Sequence, residues 1–160
     1  MQNVIGEIFA DRKHDKIILD YLFKSAVNLV PIYINDDIRF IQHGDCKRRN
    51  IIWKNGSDFV FIDLDGIRAL PCLFDILHYS ACVKMTFEDI KKEFCEHYDQ
   101  LKIIAVKIGM EMGIHFIDKI LYDYVLFYKQ SGSNFGDFSF LTIENSAEYF
   151  RTNELLKSFG

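Results

Sequence analysis

Apolar positions in residues 13–30 recur at helical spacing. Ile17, Ile18, Tyr21, Leu22, Ala26, Leu29 and Val30 share one face, so the spacing predicts a helix with that face buried. Pro31 ends it, because the residue before a proline is pushed out of the helical region. Asp36-Asp37 reads as a turn and Ile38–Gln42 as a short strand. Two apolar runs then follow, Ile51–Lys54 and Phe59–Ile62, joined across Asn55-Gly56. Both turn residues tolerate the positive φ of a tight hairpin, so Asn50–Asp63 reads as a two-stranded ribbon.

Ile67–Phe74, which passes through Pro71, follows neither period. Asp75 suits the N-cap of a short helix that continues through Ile76-Leu77-His78. Thr86 and Asp89 have capping-box spacing. The helix they begin carries Phe94, Tyr98, Leu101, Ile104, Ala105 and Ile108 toward Gly109 or Gly113. His115–Gln130 presents a broad apolar face whose aromatic residues read as core. The short break between these two helices suggests antiparallel neighbours. After the loop Ser131–Gly136, a last helix is expected within Thr142–Ser158, starting near Asn145 or Ser146. The pattern predicts one α+β, mostly helical domain over 1–160: a helix over 13–30, a loop and hairpin over 38–66 and a helical part over 75–158.

Composition sharpens this picture. At 160 residues, 49% hydrophobic and 26% charged, the chain has the length and apolar content for a real core. A net charge of −4 gives no basis for binding nucleic acid or an anionic membrane surface. No apolar run approaches the roughly 20 residues of a membrane span. Cys46, Cys72, Cys82 and Cys95 lack metal-ligand spacing such as C-x-x-C. Met1–Asp11 has acidic Glu7 and no cationic stretch before an apolar core, so reduced thiols in a cytoplasmic protein are expected. His14, His78, His97 and His115 are too scattered to suggest a metal site.

The candidate chemistry lies in His43-Gly44-Asp45, in Asn50, and in Phe61-Ile62-Asp63-Leu64-Asp65-Gly66. The hairpin puts Asn50 at the start of one strand and Asp63 at the end of the other, so Asp45, Asn50 and Asp63 converge at one end of the ribbon. This order resembles the protein kinase template, in which H-R-D-L-x-x-x-N precedes D-F-G. Here it stands as H-G-D-x-x-x-x-N, a hairpin, then I-D-L-D-G. The Gly after His and the D-x-D ending are more similar to the aminoglycoside phosphotransferase and choline kinase group. They are also similar to bacterial kinases that phosphorylate lipopolysaccharide sugars.

The resemblance implies a kinase-like C-terminal lobe that uses ATP and Mg²⁺ to phosphorylate a hydroxyl of a small molecule or sugar. Asp45 would take the acceptor's proton, and Lys47 would offset charge on the transferring phosphoryl group. Asn50 and Asp63 would hold the metal and its nucleotide, with Asp65 as a further ligand or a supporting carboxylate. His43 reads as an anchor of the loop and Cys46 as a packing residue. Asp75, in Pro71-Cys72-Leu73-Phe74-Asp75-Ile76, would either cap its helix or brace the loop. Lys47-Arg48-Arg49 is either a solvated loop or a contact for a substrate phosphate or acidic sugar. Only 42 residues precede His43, and neither G-x-G-x-x-G nor a V-A-I-K-like strand is present. The chain therefore reads as the C-terminal lobe without its N-terminal lobe, its lobe-facing surface open to a partner lobe or to self-association. The other reading is a non-catalytic kinase-like remnant or regulatory domain that binds a partner.

Overall fold

The computed structural model describes residues 2–131. The helix expected within Thr142–Ser158 lies outside the described residues. The chain opens with α1, Gln2–Ala26, which starts well upstream of the expected Lys13. No proline interrupts its hydrogen-bond ladder, and a single glycine lowers helix stability without breaking it. Ile18, Leu19, Leu22, Phe23 and Ala26 form its buried stripe. The helix stops at Ala26, short of Val30. Bonds from Asn28 N to Ser25 O and from Leu29 N to Ala26 O tighten its last turn, and Lys107 Nζ donates to Leu29 O at 2.8 Å. Pro31 is therefore not the terminator.

β1 (Ile32–Ile34) and β2 (Asp37–Gln42) form an antiparallel hairpin that pairs Ile34 with Asp37. Its turn is Asn35-Asp36, one residue earlier than expected, because Asn35 takes the left-handed conformation at φ 54°. A single 3₁₀ turn, Arg48–Asn50, leads into β3 (Ile51–Asn55), and β4 (Asp58–Phe61) returns antiparallel to it. The expected ribbon forms, but its tight turn is Gly56-Ser57. Asn55 pairs with Asp58 after a bulge, and of the turn residues only Gly56 has positive φ. Trp53 stacks on His14 of α1 with ring centroids 4.1 Å apart, and Phe59 meets Tyr21 edge-on at 5.1 Å. A second 3₁₀ turn, Leu64–Gly66, precedes β5 (Arg68–Leu70).

β5 lies in the stretch that follows neither sequence period. It pairs with β2, Gln42 opposite Arg68 and Phe40 opposite Leu70, so the strand order is β1-β2-β5. This pairing makes residues 43–67 an excursion that leaves and re-enters the sheet at one point.

α2 (Phe74–Cys82) is buried from Phe74 to Ala81. Leu73 in the left-handed conformation precedes it, so Asp75 is not its N-cap. α3 (Phe87–Glu96) carries the capping box between Thr86 and Asp89. The long helix expected from there breaks at His97, and α4 (Tyr98–Lys107) follows. The side-chain period runs through this break, but tertiary contacts hold His97 apart. Its ring stacks on Phe23 at 4.1 Å, Nδ1 donates to Glu93 O at 2.9 Å, and Nε2 lies 2.9 Å from Asp20 Oδ1. α5 spans Ile114–Ser131 and packs on α2. The fold is thus α+β and mostly helical, with two small antiparallel sheets among the described residues. Among the described residues no helix is long and apolar enough to cross a membrane.

Candidate functional site

β2 delivers His43, and two grips hold the loop that begins there. The Asp75 carboxylate accepts from His43 N and from Gly44 N, both at 2.8 Å. The main chain of Asp75 is fixed in turn, since its N–H donates to Gln42 Oε1 and Gln42 Nε2 donates to Pro71 O at 2.7 Å. Asp75 therefore braces the loop. Burial pushes its carboxyl above the usual range, against the two amide bonds that favour the charged form. The second grip is His43 itself. Its Nδ1 accepts from Asp45 N at 3.2 Å and its Nε2 donates to Ile62 O at 2.9 Å. This ring ties the loop to the end of the ribbon, as the anchor reading requires.

Asp45 lies at the centre of a bonded cluster. Lys47 Nζ is 2.6 Å from Oδ2. Asn50 Nδ2 donates to Oδ2 at 3.0 Å and to the Asp45 carbonyl at 2.9 Å, and His78 Nε2 lies 3.3 Å from Oδ1. Burial works to raise the Asp45 carboxyl, but the bonds from Lys47, His78 and Asn50 outweigh it and hold the group below the usual carboxylate range. Asn50 is 5% exposed, and with its amide nitrogen committed to Asp45 its Oδ1 is the atom that could bind a cation. Ile62 N donates to Asn50 O at 2.8 Å, which places Asp63 just beyond the paired end of the ribbon.

Asp63 is exposed and takes the left-handed conformation, φ 58° and ψ 66°. This is an uncommon state for a residue with a Cβ, and such residues cluster at functional sites. Neither the Asp63 nor the Asp65 carboxylate makes a hydrogen bond or ion pair among the described residues. The structure thus joins Asp45, Lys47 and Asn50 directly and leaves Asp63 and Asp65 as open carboxylates on the same excursion. Amide and carboxylate oxygens are the ligand type that hard cations take.

The basic run divides. Arg48 donates from Nε at 3.0 Å and Nη2 at 2.5 Å to Asp15 of α1, which also accepts from Tyr79 Oη at 2.6 Å. Arg48 is thus a strut between helix and loop. Cys46 is fully buried and burial pushes its thiol up, in keeping with packing. The sequence left the Asp75 brace as one of two roles, through its distance from Asp63, and gave no signal for His78 or the Asp15–Arg48 strut.

Elsewhere, Asp20, Glu93 and His97 bring potential metal-ligating atoms within 4.8 Å of one another. Lys16 pairs with Asp20 at 3.0 Å, Glu93 at 2.9 Å and Glu96, and both His97 ring nitrogens already face oxygen acceptors. A lysine cation fills the role a metal would take there. A cleft of about 600 Å³ runs between α1 and α3, lined in part by Arg12, Lys16, Arg48, Lys84 and Glu93. None of Asp45, Lys47, Asn50, Asp63 and Asp65 lines it. No family model, curated protein or solved structure matches this chain.

Proposed function

We propose that the chain is a kinase-like phosphotransferase domain that moves a phosphoryl group from Mg-ATP to a hydroxyl of a small molecule or sugar. The observation that carries the reading is the bonding of Asp45, Lys47 and Asn50 into one cluster on a loop braced by Asp75 and anchored by His43. Folding alone does not require such a set. Packing an ion-paired carboxylate beside a buried amide costs desolvation that apolar residues would avoid.

Asn50 through Oδ1 and Asp63 through its carboxylate would hold Mg²⁺, with Asp65 near by. The bound ion would neutralise charge on the phosphates. Asp45 takes the proton of the acceptor hydroxyl, and the electron pair of that O–H bond forms the new P–O bond. The bond to the leaving nucleoside diphosphate breaks and its electron pair departs with that group. Lys47, already 2.6 Å from Asp45, has further N–H donors for a phosphoryl oxygen. Calorimetric titration with ATP and Mg²⁺ tests the reading. Asp63→Ala should weaken binding at least about tenfold while Asp45→Asn changes it little; equal affinity in all three proteins would reject the ligand assignment.

A second reading has its own observation. Ile52, Val60, Ile62, Leu64 and Ile67 are exposed around the ribbon and the turn after it. Such a patch favours a domain that binds a partner without turnover. Absence of transfer under all acceptor conditions, together with stable self-association, would select it.

A further inference from the structure

The two oxygens of Asp45 are engaged unequally. Among the described residues Oδ2 has Lys47 Nζ at 2.6 Å and Asn50 Nδ2 at 3.0 Å, while Oδ1 has only His78 Nε2 at 3.3 Å. Each carboxylate oxygen offers about two acceptor positions, so Oδ2 is filled and Oδ1 keeps one open. We propose that His78 is a positioning residue for Asp45, its Nε2–H holding Oδ1 so that the open acceptor position meets the incoming hydroxyl. This rests on the phosphotransfer reading and adds to it which oxygen takes the proton and what aims it.

His78 follows Asp75 by one helical turn, so both project from the same side of α2. Asp75 grips the amides of His43 and Gly44, and His78 grips the side chain of the next residue. One buried helix thereby fixes both the main chain of the loop and the direction of its carboxylate. The ring itself has little freedom. His78 is 4% exposed, its imidazole stacks on Phe74 at 5.8 Å and 19°, and Cys82 Sγ lies 3.7 and 3.9 Å from its two nitrogens.

The tautomer follows from the partners. An ionised carboxylate only accepts, so the proton shared with Oδ1 is on Nε2. Burial disfavours the imidazolium, which makes His78 a neutral donor. Nδ1 is then the unprotonated nitrogen. A buried imidazole aimed at a carboxylate has no packing advantage over phenylalanine at the same place. Its gain is direction. Freed of this bond, the carboxylate can turn, and misplacing a reacting group by about 1 Å costs up to about 10²-fold in rate.

Two measurements test the proposal, one of them independent of turnover. Nitrogen-15 imidazole spectra of the wild type should show His78 as a single Nε2–H tautomer, and Asp45→Ala should convert it to a mixture. His78→Phe should lower kcat about tenfold with nucleotide KM within about twofold, and His78→Gln, which keeps a donor, should recover most of the loss. A wild-type Nδ1–H tautomer, or equal kcat in wild type, His78→Phe and His78→Gln, would overturn the assignment. If the wild type transfers no phosphate to any acceptor, the phosphotransfer reading falls, and the imidazole spectra still decide whether His78 holds Asp45. If His78→Phe does not fold, the spectra and His78→Gln carry the test.

Discussion

Gly44 and Gly66 meet backbone to backbone. A Cβ on Gly44 would lie 2.3 Å from the carbonyl oxygen of Gly66, and one on Gly66 would lie 2.9 Å from that of His43. The two halves of the motif are therefore in direct main-chain contact, at the point where the excursion between β2 and β5 closes.

This contact gives the first prediction. Gly44 has φ +83° with backbone in the way, whereas Gly56 has φ +47° with nothing within 4 Å of its added Cβ. Gly56→Ala pays only for the left-handed conformation, about 1 kcal/mol. Gly44→Ala must also push two backbone segments apart and should cost about 3 kcal/mol or more. Urea unfolding of the two variants reads the difference directly, and similar midpoints would show that the halves do not touch.

Asp75 should show its brace in a pH series. Its carboxyl is raised by burial, so its folded form holds a proton more readily than its unfolded form. The associated stability is fully present below the usual Asp value of about 3.9 and is lost as pH rises through the folded value. Asp75→Asn lacks this titration and leaves one loop amide without its carboxylate oxygen, a cost of about 2–3 kcal/mol. The gap between wild type and Asp75→Asn should narrow from about pH 4 to pH 7. A gap that widens over that range would contradict the assigned direction.

The strut between α1 and the loop can be taken apart stepwise. Tyr79→Phe removes one bond to Asp15 and should cost about 1 kcal/mol. Arg48→Met removes the bidentate partner of a buried carboxylate. The Arg48 side chain is 45% exposed, so solvent screening limits the loss to about 1–2 kcal/mol. The two changes share Asp15 and should not add, which a double-mutant cycle by urea unfolding measures. Strict additivity would mean that Asp15 does not couple them.

How much of this was legible in the chain depends on the range of the forces involved. The β3–β4 ribbon and α5 rest on local signals, two apolar runs across a turn dipeptide and an apolar stripe, and both form, though the bulge moves the ribbon's turn one residue on, to Gly56-Ser57. β5 carries no signal because three residues are too few for a period; its strand character comes from pairing with β2. The break at His97 is invisible for a related reason, since Phe94, Tyr98 and Leu101 keep helical spacing across it while Phe23 and Asp20 of α1 hold the residue between. In the candidate site, the meeting of Asp45 and Asn50 was readable from motif spacing. Asp75 was readable only as one of two roles, and His78 depends wholly on how α2 docks.

The central claim is that Asp45 accepts the proton of an acceptor hydroxyl during phosphoryl transfer. The most direct test follows labelled γ-phosphate from ATP with Mg²⁺ into a panel of sugar and aminoalcohol acceptors, wild type beside Asp45→Asn. General base catalysis typically contributes about 10²–10⁴-fold, so the account predicts wild-type transfer to at least one acceptor and a loss of that order in Asp45→Asn. Equal transfer by the two proteins, or none by the wild type with any acceptor, would contradict it.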